Sequence, residues 1–435
     1  MERFVADILL TMADEHALPI RQGAVDVADG KVVWSGPLAE APETDVGVQR
    51  IDGILMPGMV DIHCHTPMVL VRGAGEGLAV DRWLHEVMWP REGRLTPDDV
   101  RAGMRAGAAE LIGNGITTSV EMYFHGQAVA EGASEVGLRT VVTAPIIEDA
   151  QLAGFGPWQE QVEEMVAMSE RWSGSDQVEV GVGPHAAWSV SEECLRRLSD
   201  VAADTGMLVH IHVAEQEWED SAVREKTGMS APAYLESLGL LAGRFLAAHG
   251  VWLSEDDIEV LARNRASVAH CPCSNSKHAS GIAPVDDMLD AGIRVGIGTD
   301  GPASHHRLDP FEEMRTAIRL ARIRHSDAER FPTSRTLWMT TAGAADAIGR
   351  PDLGRLTPGA WADMVALADV SSLHPVIEAE DDPVSRVVWS ASPATVRSVW
   401  VGGRSVVRDG VVTTIDPADA SRELDRRAAR LLYDR

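Results

Sequence analysis

Short apolar runs alternate with amphipathic segments through the middle of the chain. The runs are GMVDIHCH (58–65), GITTSVEMY (115–123), RTVVTAPII (139–147), VEVGVGPH (178–185), MLVHIHVAE (207–215), RFLAAHGV (244–251), ASVAHCP (266–272) and RVGIGTD (294–300). Each is short, rich in β-branched and small apolar residues, and nearly continuous in its apolar character, as buried parallel strands are. Segments 97–113, 158–172, 191–204, 254–263 and 309–324 lie between them and repeat their apolar residues at helical spacing. Eight strands alternating with helices predict an α/β fold of the (β/α)8 TIM-barrel type over residues 57–350. A doubly wound open sheet is the second choice, but no GxGxxG follows the first run to support it.

The ends read differently. In residues 1–56, GAVDVADGKVVWSGP places two β-rich runs around a tight turn. In residues 351–435, DMVALADV and VRSVWVGGRSVVRDGVVTTI repeat that style with Gly-Gly and Asp-Gly turns. The two ends are expected to pair as one small composite β-sandwich, with the barrel inserted between them. Leu424, Ala428, Leu431 and Leu432 fall at helical spacing behind Pro417, which predicts a terminal docking helix.

Composition narrows the class. A chain of 435 residues with 45% hydrophobic content can bury a large core and a second, smaller one. The formal net charge of −27 argues against nucleic acid and anionic membrane as partners. No apolar run reaches the ~18 residues that a membrane span needs, and the N-terminus lacks the form of a signal peptide. Four cysteines in a chain this long make no disulfide framework, which fits a reducing cytoplasm. The expected partner is therefore a small molecule.

Barrel enzymes carry their chemistry at the C-terminal ends of the strands. Read in that way, the first strand ends in His63 and His65, the fourth in His185, and the fifth in His212 with Glu215 just beyond. The sixth ends near His249, the seventh at His270 and the eighth in Asp300. His63 and His65 are two apart and share a strand face, while Cys64 points the other way. An HxH pair alone is as readily a hydrogen-bonded strand end as a metal site. With His212 and Asp300 at other strand ends, a site for one divalent metal is the better reading. Three imidazoles and a carboxylate suit Zn2+, with Fe2+ or Mn2+ as alternatives, and leave room for a water. Such a site prepares water to attack an electrophilic carbon. Glu215 would shuttle the proton, His249 would orient the attacking oxygen, and Asp300 would accept the water's proton. His210 reads as a core or supporting histidine. Cys271 and Cys273 read as thiols at a strand end, since the H-x-E…P-C-x-x-C pattern of zinc deaminases of the cytidine type fails here.

PGMVDIHCHTPM, VGPHAAWSVSEE, VHIHVAEQ, AAHGVWLSEDDI, VAHCPCSNSKHASGIAPV and GIGTDGPASHHRLDPFEEMR together resemble the amidohydrolase superfamily. The subgroup is that of the mononuclear-zinc, chlorohydrolase-like deaminases, and the resemblance runs along nearly the whole chain. It implies zinc on His63, His65, His212 and Asp300, and acid–base work by Glu215 and His249. It further implies substrate contacts from Glu92 and His185 and a homo-oligomer, dimer or tetramer. Three stretches depart from the pattern: Trp252 stands where a histidine is common, Pro302-Ala303-Ser304-His305-His306-Arg307 replaces a small residue followed by Asn-Asn, and TAPIIEDAQLAGFGPWQEQ (143–161) lacks the arginines that the resemblance associates with an amino-acid tail on the substrate. Trp252 and His305 thus become candidates for substrate binding, with Trp89, Trp188 and Met68 as further walls of a flat pocket. Hydrolytic deamination of a planar heteroaromatic ring is the leading expectation. Ester or amide hydrolysis, or a ring-closing condensation of an aryl compound, stays open through the altered His305–His306 loop.

Overall fold

The structure, a computed structural model, describes residues 1–45, 47–368 and 382–433. The end of the predicted strand segment 363–370, beyond residue 368, lies outside the described residues.

All eight predicted barrel runs contain a strand. Met59–Cys64, Ile116–Glu121, Arg139–Val142 and Val178–Val180 pair in parallel as one set of four. Val209–Val213, Phe245–His249, Ser267–His270 and Arg294–Ile297 pair in parallel as a second set. Isolated parallel bridges join the sets at both seams: Val182 to Val209 and Ala186 to His212 on one side, Cys64 to Asp300 on the other. With helices between successive strands, this is a TIM-barrel α/β arrangement. Val60, Val120, Val141, Leu246 and Ala269 gather into one buried cluster from five strands, which is why the runs lack the polar alternation of a half-exposed sheet.

Local chemistry sets the helix boundaries. Helix Pro97–Gly113 begins at a reciprocal cap in which Thr96 and Asp99 satisfy each other's backbone N–H, and Pro97 occupies the first turn. Helix Glu255–Arg263 starts with the same device from Ser254 and Asp257. Ser191 caps helix Glu192–Thr205.

The two ends of the chain meet. Their strands form one hydrogen-bonded sheet of eight, and this sheet doubles back on itself: Phe4 and Trp400, three strands apart in the pairing order, have ring centroids 5.2 Å apart in one buried cluster. The joint is the antiparallel pairing of Met364–Ala368 with Val48–Pro57. Val48–Pro57 runs through Gly58 directly into the first barrel strand. A buried pair, Arg139 with Asp363, ties the third barrel strand to this sheet, and Asp363 also accepts from the Gly402 N–H. Helix Pro417–Tyr433 packs on helix Pro97–Gly113, with Arg430 on Asp99 and the Arg94 guanidinium on the Leu431 carbonyl. Among the described residues, no helix is long and apolar enough to cross a membrane.

Candidate active site

The strand ends converge as their sequence positions require. His63, His65 and His212 present ring nitrogens within 4.8 Å of one another, and His63, His249 and Asp300 form an overlapping group on the same scale. His65 Nε2 lies 3.2 Å and His63 Nε2 3.5 Å from Asp300 Oδ1, and His65 Nε2 is 3.4 Å from His212 Nε2.

Each histidine is held by its other nitrogen. His65 Nδ1 donates to the Met122 carbonyl and His212 Nδ1 to the His185 carbonyl, at 2.8 Å. His63 Nδ1 donates to His210 Nε2 at 2.9 Å, and His210 Nδ1 in turn donates to the Thr143 hydroxyl at 2.8 Å. These bonds place every proton on Nδ1 and leave the three Nε2 lone pairs facing one another and Asp300. His63 Nε2 is fully buried and has no hydrogen-bond partner. Burial pushes the His63 imidazole down to about 3, so the ring stays neutral. Imidazole lone pairs and one carboxylate aimed at a common point fit a divalent cation, which would satisfy the orphaned nitrogen. Cys64 is not in the group: its Sγ lies 3.1 Å from Glu121 Oε1.

The backbone turns sharply where it delivers these side chains. Ala214, His249 and Asp300 all have left-handed φ, at 52°, 75° and 57°. Non-glycine residues rarely adopt that region and cluster there at active sites. The Asp300 N–H donates to the His63 carbonyl at 2.9 Å, and Asp61 receives the Thr299 N–H and hydroxyl, so the eighth strand is pinned to the first.

Glu215 Oε2 stands 3.8 Å from His249 Nε2, and His249 Nδ1 is fixed on Asn275 Oδ1 at 2.9 Å. Glu219, one helical turn on, accepts the Glu215 N–H at 3.0 Å. Burial, and then the neighbouring Glu215 charge, push Glu219 up to about 8. Glu92 is buried with Oε1 unpartnered, and burial pushes it up to about 7. The cavity over this group is lined by Glu92, His185, Trp89, Trp188, Met68 and Trp83, together with His65, His212, His249 and Asp300.

Two expected substrate residues stand elsewhere. Trp252 does not line the cavity. The left-handed Gly250 turns the chain outward after His249, and the indole, 45% exposed, donates to the Ser280 carbonyl. His305 ends the short helix Pro302–His305 and points behind the site, where Nε2 meets the Thr299 carbonyl at 2.6 Å and Glu313 Oε1 at 3.2 Å. Its neighbour Ser304 lines the cavity instead. Cys273, His305 and Glu313 make a second close group of donor atoms, but these are engaged with Thr316, Thr299 and the Cys273 N–H.

Sequence reading had not singled out Asp61, Ser274, Asn275, Glu219, Trp83 or Tyr123. Asp61 shares the strand face of His63 by its spacing of two, a signal that was available. Ser274, which donates to Asp300 Oδ2, and Asn275 carry no such signal, because they act across strands.

Comparison with known proteins follows the same lines. Residues 54–406 match the profile of the amidohydrolase family. A 5-methylthioadenosine/S-adenosylhomocysteine deaminase of Pelotomaculum thermopropionicum is 36% identical over 95% of this chain and 94% of its own. A 5'-deoxyadenosine deaminase of Methanothermobacter thermautotrophicus is 35% identical over 95% of each chain. Among solved structures, an adenosine deaminase of Xanthomonas campestris with bound zinc superposes with a TM-score of 0.92 at 29% identity, over 99% of this chain and 98% of that one.

Proposed function

Since the chain belongs to the amidohydrolase family, we propose that it is a zinc-dependent deaminase of a planar amino-substituted heteroaromatic ring, with an adenine nucleoside as the first candidate. The observation that carries this reading is the meeting of three bare imidazole nitrogens and Asp300 beside Glu215 and His249. Kinship with deaminases of adenine nucleosides supports the choice of ring.

His63, His65, His212 and Asp300 would hold the metal, which when bound supplies a Lewis acid that makes water nucleophilic at neutral pH. Glu215 protonates the ring nitrogen beside the reacting carbon as the new C–O bond forms. His249, kept in one tautomer by Asn275, presents Nε2 to the attacking oxygen. Asp300 takes one proton of the water and returns it to the amino group, and Glu215 recovers its own proton from the other as the hydroxyl of the adduct becomes a carbonyl. The exocyclic C–N bond then breaks, ammonia leaves, and a ring carbonyl remains, with one water consumed. Glu92 Oε1, buried and unpartnered, accepts a substrate hydroxyl, and His185 and Trp89 bound the ring. The reading includes a homo-oligomer in the cytoplasm, and the four free cysteines fit a reducing compartment.

Ester or amide hydrolysis and ring closure rested on the His305–His306 loop. With His305 turned behind the site, nothing in the cavity favours them over deamination. Ammonia release from adenosine and 5'-deoxyadenosine by the zinc-loaded protein tests the proposal. Glu215→Gln is expected to keep one metal per chain while kcat falls by about 100-fold or more. Absence of ammonia from both nucleosides, or wild-type turnover by that variant, would overturn it.

A further inference from the structure

We infer that the cavity selects an uncharged ligand, a nucleoside rather than a nucleotide or a carboxylate-bearing derivative. This rests on the deaminase reading above and names the substrate class within it.

The charge inventory of the wall carries the inference. Among the described residues that line the cavity there is no lysine or arginine, whereas Glu92, Glu215 and Glu219 all contribute carboxyl groups. Cations in the neighbouring segments are engaged, among them Arg82 beside the lining residues Trp83 and Leu84, which pairs with Glu86 at 2.8 Å. Lys277 pairs with Glu76 at 3.2 Å and donates to the Ala303 carbonyl, and Arg72 is held by Glu110 and the His306 carbonyl. His185 also lines the wall, with Nδ1 engaged by the Ser189 hydroxyl at 2.8 Å, and burial lowers His278, which lines it too. A phosphate or carboxylate in the cavity would thus be stripped of water without a side-chain counter-charge.

The wall reports the same thing about itself. Glu219 lies in the cavity lining, where burial first and the neighbouring Glu215 second make it hold its proton far above the usual carboxylate range. A ligand carboxylate would meet the same surroundings. What the wall does offer is apolar or hydroxyl-seeking: Trp83, Trp188, Phe124 and Val80 on the one hand, the unpartnered Glu92 Oε1 on the other. The net charge of −27 adds a long-range barrier to anions that salt would screen.

The test uses the zinc-loaded wild-type protein and four ligands of one shape series: adenosine, 5'-deoxyadenosine, adenosine-5'-carboxylic acid and adenosine 5'-monophosphate. Two readouts are taken, ammonia release and binding by titration calorimetry. The anionic pair is expected to be weaker by about 100-fold in both, with the gap narrowing at high salt. A gap below tenfold in binding overturns the inference. If no ligand yields ammonia but the neutral pair still binds in preference, the deaminase reading falls and the selectivity stands. Leu84→Arg, which places a cation on the half-buried rim of the cavity, is expected to close the gap by tenfold or more. An unchanged ratio in a folded Leu84→Arg protein counts against the inference, and the wild-type series decides it alone if that variant does not fold.

Discussion

At the scale of single residues, the site depends on which ring nitrogen carries each proton. The chain from His63 through His210 to Thr143 keeps His63 Nε2 bare. His210→Phe should leave His63 free to adopt the other tautomer and weaken metal binding by about 10–100-fold, measured by chelator competition. Glu219 gives a pH signature. Its folded value of about 8 lies above that of an exposed glutamate, so the folded state holds the proton more tightly. The stability tied to this proton is full below about pH 4.5 and is lost as pH rises towards 8, with a slope of about 1.4 kcal/mol per pH unit. Glu219→Gln should therefore gain melting temperature relative to wild type between pH 5 and pH 8, and match it most closely at the acid end. The meeting of His63, His65, His212 and Asp300 was legible in the sequence because a strand end has a fixed face and a fixed place on the barrel rim. Trp252 and His305 were not, because both follow left-handed or short helical turns whose direction no periodicity records. Glu219 was passed over since a glutamate at the start of a helix usually faces water, whereas here it lies under Trp188 in the cavity wall.

At the scale of elements, the strands hold the site only where backbones can approach closely. Gly183 sits between the fourth strand and His185. A Cβ there would lie 2.4 Å from the Thr143 carbonyl oxygen and 2.5 Å from that of Ala144, and neither backbone atom can swing away as a side chain would. Gly183→Ala should cost at least the 1–3 kcal/mol typical of overpacking, seen as a lower denaturation midpoint, and should raise KM by moving His185. The helix boundaries were readable within a residue or two, since Thr96, Ser191 and Ser254 announce them chemically. The form of the terminal sheet was less readable. Short strands with Gly-Gly and Asp-Gly turns specify hairpins, but not which strands of the two chain ends pair with each other. That choice is made by the pairing of Met364–Ala368 with Val48–Pro57, distant in sequence.

At the scale of the whole molecule, a deeply buried ion pair helps to tie the barrel to the sheet. Arg139 and Asp363 are 3% and 1% exposed, and each would be stranded without the other. Asp363→Ala should destabilise the protein by about 3–5 kcal/mol, whereas replacing both partners with apolar residues of similar volume should cost much less, as paired denaturation curves would register. The sheet itself imposes an order of events. Val48–Pro57 leads straight into the barrel, yet its partner Met364–Ala368 is synthesised only after every barrel strand has been made. A nascent chain must therefore carry an unpaired, largely apolar strand edge through the whole synthesis of the barrel. This is the interval in which it is most exposed to mispairing and to capture by other chains, and in which chaperones have most to protect.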